Sequence, residues 1–160
     1  MSLHLTPTDL GDAAHQAAFL ALLQHYAADP MGGGAGLAPA VQAALVPELQ
    51  KVPHFHGALA WREGEAVGLI NCFAGFSTFA AKPLLNIHDV VVHSDHRGAG
   101  IGQALLAWAA ERALALGCCK LTLEVLANTH KALAAYQRAG FAPYVLDPAA
   151  GQALFLEKRL

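Results

Sequence analysis

The stretch "DHRGAGIGQALLAWAAERALALGC", Asp95 to Cys118, places glycines at 98, 100 and 102 and then runs directly into a long apolar segment of helical period. Glycine in a helix costs about 1 kcal/mol relative to alanine, so three in five residues need a physical reason. In a turn that leads from a strand into a helix, the first backbone N–H groups point outward, unpaired, at the positive end of the helix dipole. Glycines there let an anion approach the backbone without meeting a Cβ. Arg97 adds a fixed positive charge beside them. Pyrophosphate is the ligand type that this geometry suits.

Two common phosphate motifs fail on these residues. The dinucleotide fingerprint G-x-G-x-x-G, begun at Gly98 and Gly100, needs glycine at 103, where Gln103 stands. The P-loop needs G-K-[ST], which the chain does not contain. What remains is R-x-x-G-x-G, read as Arg97, Gly100 and Gly102.

Working outward, "LLNIHDVVV" (84–92) is apolar on both faces except around Asn86, His88 and Asp89, the pattern of a central strand. Strict alternation sets Asn86, His88, Val90 and Val92 on one face and Leu85, Ile87, Asp89 and Val91 on the other. A β-bulge would change which side chain faces a cleft. "CKLTLEVL" (119–126) alternates as a strand, and a helix over 129–139 is capped by Asn128 or Thr129 and ends at Gly140. Upstream, "LHLTPTD" predicts a short strand leading into a helix over about 9–28, capped by Thr8 or Asp9. "MGGGAG" (31–36) is a loop, and "LAPAVQAALVPELQ" is a second helix with a break near Pro47. "HFHGALAWR" and "AVGLINCFAGF" form a β-hairpin about "EGE". "FAPYVL" and "QALFLEKRL" are two closing strands about "DPAAG". The order β-α-α-β-β-β-α-β-α-β-β, with no repeat and no linker, makes residues 1–160 a single α/β domain.

Composition narrows the function classes. Of the 160 residues, 55% are hydrophobic and 14% charged, which describes a globular chain with a full core. A net charge of -2 argues against nucleic acid, whose binders show a dense basic face. No apolar run reaches the 18 residues of a membrane span, and the N-terminus lacks the basic start and apolar core of a secretory signal. Cys72, Cys118 and Cys119 make no disulfide framework, so a cytoplasmic location with reduced thiols is expected. "HFH" puts His54 and His56 at metal-ligand spacing, but no cysteine or carboxylate supports them at a suitable interval, and no metal is expected.

The R-x-x-G-x-G turn lies between its strand and helix, followed by a further strand and then by "NTHKALAAYQRAGF" (128–141) with Asn128, Leu133, Tyr136, Gly140 and Phe141. This arrangement resembles the GNAT-type N-acetyltransferase superfamily over residues 84–142. The family's usual alanine three residues after the asparagine is replaced by Lys131, with Ala132 following. The resemblance implies an acyl-CoA N-acyltransferase fold: a mixed, mostly antiparallel sheet of six to seven strands flanked by about four helices. It implies an enzyme that moves an acetyl group from acetyl-CoA, its co-substrate, to the primary amine of a small molecule. The amine attacks directly, because the thioester is already activated. By resemblance the cofactor-binding residues are Arg97, Gly98, Ala99, Gly100, Ile101 and Gly102 for the pyrophosphate. Val90, Val91 and Val92 meet the amide-like pantetheine arm along the strand, with Asn128 and Tyr136 beside them.

Attack requires an amine that has lost its proton, and the departing thiolate needs a donor. Tyr136 occupies the family's general-acid position; its phenol stays protonated at neutral pH and can donate. His88 is the first candidate base, since a neutral imidazole is available at pH 7, and Asp89 is the second. Two other classes stay open on the residues alone. One is a CoA-binding regulatory or scaffolding protein of the same fold, and the other is a metal-dependent hydrolase built on the histidines. Exposed apolar strands near the C-terminus would suit a homodimer.

Overall fold

A computed structural model describes residues 2–160. The chain divides into two compact units, one running to Leu123 and the other Glu124–Leu160. The first holds β1 (Leu3–Pro7), α1 (Ala13–Ala28), α2 (Pro39–Leu49), β2 (Phe55–Arg62), β3 (Glu65–Ser77), β4 (Lys82–Val92), α3 (Ile101–Ala115) and β5 (Leu121–Leu123). Its sheet has the order β1-β2-β3-β4-β5. The first three pairings are antiparallel and β4 pairs β5 in parallel, with α3 as the crossover between them.

Side-chain alternation divides the core between the two faces of this sheet. Leu59, Leu69 and Val91 join Phe19 and Leu22 of α1 and Val46 and Leu49 of α2 in one apolar cluster. The residues between them along the strands, Ala58, Ala60 and Ile70, are fully buried on the opposite face. There α3 contributes Ile101, Leu105, Leu106, Ala109 and Ala113 to the core. Helix and sheet approach so closely that a Cβ on Gly68 would lie 2.9 Å from the Val91 carbonyl oxygen and 3.1 Å from Ile101 Cγ2.

Several boundaries differ from the expectation. Helix α1 starts at Ala13 and its N-cap is Asp12, whose carboxylate accepts from the His15 N–H at 2.9 Å. Neither Thr8 nor Asp9, the two expected caps, serves; Asp9 instead accepts from the Gly11 N–H at 2.8 Å in the turn before the helix. Helix α2 continues through Pro47 to Leu49. The proline has no N–H to give the Ala43 carbonyl, and the helix nevertheless carries on for two residues, with Val46 and Leu49 buried on either side of it.

The second unit contains α4 (His130–Arg138) and a 3-10 turn at Pro148–Ala150. The segments "FAPYVL" and "QALFLEKRL" do not form strands, so the sheet has five strands rather than six or seven. Alternation alone does not make a strand; cross-strand pairs stabilise it. Pro143 removes a ladder donor from the first segment, and Leu154, Phe155 and Leu156 are a contiguous apolar run, all highly exposed. The fold class otherwise stands as expected, a mixed and mostly antiparallel sheet with four helices. No helix of the described residues is long and apolar enough to cross a membrane.

Candidate functional site

The glycine turn has the predicted form. A 3-10 turn at Ser94–His96 follows β4, and the N-cap of α3 is Gly100, left-handed at φ 78°. Gly98 has the same φ of 78°. Such a conformation is strained for a residue with a Cβ. Glycine also has no side chain with which to cap the helix, so the amides of the first turn of α3 are left for an external acceptor. A Cβ built at Gly98 or Gly100 would meet nothing within 4 Å. The protein itself does not crowd these positions, and the space before the backbone is open to a ligand. The residues present therefore fit a diphosphate.

Arg97 leads into this turn with a side chain 55% exposed, and its guanidinium is already engaged. Nη2 donates to Asp29 Oδ2 at 3.2 Å, and the same carboxylate accepts from the Met31 N–H at 2.9 Å. The Met31 amide first and Arg97 second hold the Asp29 carboxyl below its ordinary range. Asp29 closes α1, so the ion pair ties the turn to the start of the glycine loop at 31–36. A second tie runs through histidines: His25 and His93 stack with ring centroids 4.1 Å apart, and the Ser94 N–H donates to His25 Nε2 at 3.2 Å.

Upstream, β4 carries a bulge. Asn71 of β3 pairs with Asp89, but its neighbour Cys72 pairs with Ile87, leaving His88 as the extra residue. Strict alternation is thereby broken. Asp89 and Val91 lie on the face of the α1–α2 cluster, and so does Asn86, opposite Phe73. The extra residue joins that face: the His88 ring meets Phe73 edge to face at 5.2 Å, and its Nδ1 lies 3.2 Å from Asn86 Oδ1. The expected division of His88 and Asp89 between opposite faces is therefore corrected; the bulge brings both to one side.

The hydrogen bonds fix the imidazole tautomer. Asn86 Nδ2 donates to Thr122 Oγ1 at 2.9 Å and reaches the Thr122 carbonyl at 3.4 Å. A carbonyl only accepts, so the Asn86 amide is oriented with Oδ1 toward His88. His88 Nδ1 then carries the proton, and Nε2 keeps its lone pair for a substrate proton. Asp89 is held from the other strand, with Asn71 Nδ2 donating to Asp89 Oδ2 at 3.0 Å.

The backbone of β4 beyond the bulge has a free side. The His93 N–H donates to the Val67 carbonyl, so residues 91 and 93 address β3 while Val90 and Val92 address the opposite edge. β5 pairs only with Leu85, Asn86 and Ile87. Among the described residues the edge at Val90 and Val92 has no strand partner, and an amide-bearing chain could add to it.

Tyr136 and Asn128 belong to the second unit. Tyr136 lies on α4, half-buried, with Phe141 edge to face at 6.0 Å. Thr129, not Asn128, is the N-cap residue of α4, and Asn128 is exposed. The histidine pair of "HFH" separates in role: His54 packs on Phe73, while His56 Nδ1 accepts from Arg112 Nε at 3.3 Å. Among the described residues no three His, Cys, Asp or Glu gather to hold a metal. Sequence reasoning missed Asn71 and Asp29. Asn71 was legible only as a polar residue in an otherwise apolar strand, and Asp29 only as a helix-ending Asp-Pro.

A family model described as "Acetyltransferase (GNAT) family" matches residues 20–141. The streptothricin acetyltransferase of Streptomyces lavendulae is 41% identical over 87 residues, 52% of this chain and 46% of that protein. The aminoalkylphosphonate N-acetyltransferase of Salmonella typhimurium is 36% identical over 89 residues, 56% of this chain and 58% of that protein. The matches thus span about half the length of these curated relatives. Among solved structures, AAC(6')-Iy in complex with the bisubstrate analogue CoA-S-monomethyl-acetylneamine superposes with a TM-score of 0.78. It covers 100% of both chains at 15% identity, a likeness of fold.

Proposed function

The chain belongs to the acetyltransferase (GNAT) family, and on that premise we propose that it transfers an acetyl group from acetyl-CoA to the primary amine of a small molecule by direct attack. One observation carries this: left-handed glycines at 98 and 100 open the N-terminus of α3 directly after a strand whose far edge is unpaired. The diphosphate of CoA binds the amides of residues 98–102 with Arg97, and the pantetheine arm adds to β4 at Val90 and Val92. The arm then runs along the strand toward the bulge, where His88 and Asp89 stand.

His88 Nε2 accepts a proton from the ammonium of the acceptor, with Asp89 holding the positive charge nearby. The freed lone pair on nitrogen forms the new C–N bond at the thioester carbonyl, the C–S bond breaks, and the thiolate leaves with the electron pair. Tyr136, the general acid by family resemblance, protonates that sulfur, and the surplus proton on the new amide nitrogen passes through solvent to restore the tyrosine. The names of the relatives support a small amine as acceptor: streptothricin for one and aminoalkylphosphonates for the other.

The test is acetyl transfer from acetyl-CoA to a panel of primary amines, comprising an aminoalkylphosphonate, an aminoglycoside, a polyamine and an amino-acid ester. Calorimetry with CoA accompanies it. Turnover on at least one amine is expected. Gly100→Val should weaken CoA by about tenfold or more, since the left-handed backbone costs roughly 1–2 kcal/mol for a residue with a Cβ and the side chain enters the anion's approach. Tyr136→Phe should lower kcat with CoA affinity nearly intact. CoA that binds without contribution from residues 97–102, or no transfer to any amine, refutes the proposal.

A further inference from the structure

Asn71 is a polar residue in the middle of an apolar strand, 3% exposed, with both its neighbours along β3, Ile70 and Cys72, fully buried. Its two amide atoms have unequal fates. Nδ2 donates to Asp89 Oδ2, whereas Oδ1 is buried and accepts no hydrogen bond from any protein donor among the described residues. A flipped amide does not resolve this. A carboxylate accepts, so the NH2 group faces Asp89 and the carbonyl points away from it. A buried carbonyl oxygen without a donor is costly, and such groups in folded proteins call for an explanation.

The surroundings say what kind of donor is missing. Asn71 shares a face with Asp89, directly opposite in register, and with His88, which the bulge turns to the same side. His88 donates through Nδ1 to Asn86 and so offers only the lone pair of Nε2. Asn71 Oδ1, the Asp89 carboxylate and His88 Nε2 are thus three hydrogen-bond acceptors on one patch of sheet. The complementary ligand has several N–H donors and a positive charge on one atom. A primary ammonium, R–NH3+, carries three N–H donors in a tripod.

We infer that Asn71 binds the acceptor: its Oδ1 accepts one N–H of the substrate ammonium while Asp89 and His88 take the others. This rests on the acetyltransferase function proposed above and adds to it a residue that binds the acceptor. The acceptor enters protonated, as a primary ammonium, and loses its proton in the site. Asn71 serves the acceptor and not CoA, so its removal separates the two substrates kinetically.

The experiment measures steady-state kinetics with acetyl-CoA and whichever amine of the panel wild type acetylates fastest. Asn71→Leu, close in volume and without the oxygen, should raise the KM for the amine about 10- to 100-fold, the usual loss for a hydrogen bond to a charged group. The KM for acetyl-CoA should stay within about twofold. Asn71→Asp restores an oxygen toward the ammonium but cannot donate to Asp89, so amine KM should recover to within about fivefold of wild type. A purely structural Asn71 predicts the reverse order, since a second buried carboxylate beside Asp89 is worse for packing than leucine. If Asn71→Leu does not fold, judged by CoA calorimetry, Asn71→Ala carries the same expectation. An unchanged amine KM in the leucine or alanine variant overturns the inference. So does an equal rise for both substrates, or an aspartate variant no better than leucine. In each of these cases the acetyltransferase function stands. A wild-type protein that acetylates no amine overturns both.

Discussion

Gly68→Ala tests the packing that holds α3, and with it the glycine turn, against the sheet. The added Cβ would sit 2.9 Å from the Val91 carbonyl oxygen, 3.1 Å from Ile101 Cγ2 and 3.2 Å from Leu105 Cδ1. Real Cβ atoms do not approach a backbone oxygen so closely, so something must move by a few tenths of an ångström. Val91 cannot yield easily, since β4 is laddered to β3 on one side of it and Val91 is itself in the core. Helix α3 must therefore shift outward. Overpacking of this kind costs about 1–3 kcal/mol. Against it, alanine restricts the unfolded chain and returns about 0.4–1 kcal/mol. A net loss of about 1–2 kcal/mol remains, a fall in Tm of roughly 2–8 °C for a chain of this size. Ile101 directly follows the N-cap Gly100, so the displacement passes into the glycine turn. Thermal melts with and without CoA should show both a lower Tm and a smaller stabilisation by the ligand, and Gly68→Val should exceed Gly68→Ala in each. An alanine variant melting within 1 °C of wild type would mean that α3 is not wedged against β3 as the distances require.

Three further predictions address charge and thiols. In the free protein Arg97 is held by Asp29 at 3.2 Å, a single contact between partly exposed side chains, so a diphosphate must compete for the guanidinium. Asp29→Asn keeps an oxygen to accept from the Met31 N–H but removes the competing charge. CoA should bind up to about fivefold more tightly at 0.1 M salt, with the gain shrinking at 1 M; calorimetry that finds weaker binding would show that Arg97 does not serve the diphosphate. Burial, and then the charge of Asp89, push the Cys72 thiol up to about 12, so the folded protein at pH 8 should leave Cys72 unlabelled by a disulfide reagent while the exposed Cys119 reacts. Mass mapping that finds Cys72 among the fast thiols refutes its place in the core. Burial first, then Arg112, depress the His56 pKa below its ordinary 6.5. The unfolded chain then takes up a proton that the folded one refuses, and stability should fall as pH drops below about 6.5; urea melts at pH 7.5 and 5.5 should show this slope reduced in His56→Gln.

What the sequence could announce depended on whether the signal was local. The R-x-x-G-x-G turn was readable because its chemistry resides in consecutive residues: a left-handed backbone needs glycine, and three glycines before a helix leave few alternatives. Helices α1 to α3 and the first four strands were likewise carried by period and by apolar runs. The C-terminal segments failed for the opposite reason. "FAPYVL" and "QALFLEKRL" have β-forming residues, yet whether such a run becomes a strand is decided by a partner elsewhere in the chain, and composition does not name one. Asp9 lost the cap of α1 to Asp12 by a similar margin, because both are aspartates three residues apart and only the path of β1 decides between them. Asn71 was invisible as a site residue, since its meaning lies wholly in Asp89, which faces it across the ladder.

The bulge at His88 shows why that invisibility matters for chemistry. A regular strand allots alternate residues to opposite faces, so two adjacent side chains cannot both serve one small substrate. Inserting one residue between the Asn71–Asp89 and Cys72–Ile87 pairs removes that prohibition. It also reverses the backbone sense beyond it, so that Val90 and Val92, rather than Val91, turn their N–H and C=O groups to the open edge. The same insertion thus places His88 beside Asp89 and leaves an edge to which an amide-bearing ligand could add. Deleting His88, as opposed to substituting it, would restore regular pairing, with Ile87 and Asp89 consecutive opposite Cys72 and Asn71 and every other side chain on its present face. Leu85 and Ile87 would stay buried, so the deletion should take the imidazole away from Asp89 while the melting temperature falls little. A collapse of the sheet in that variant would refute this reading of the bulge.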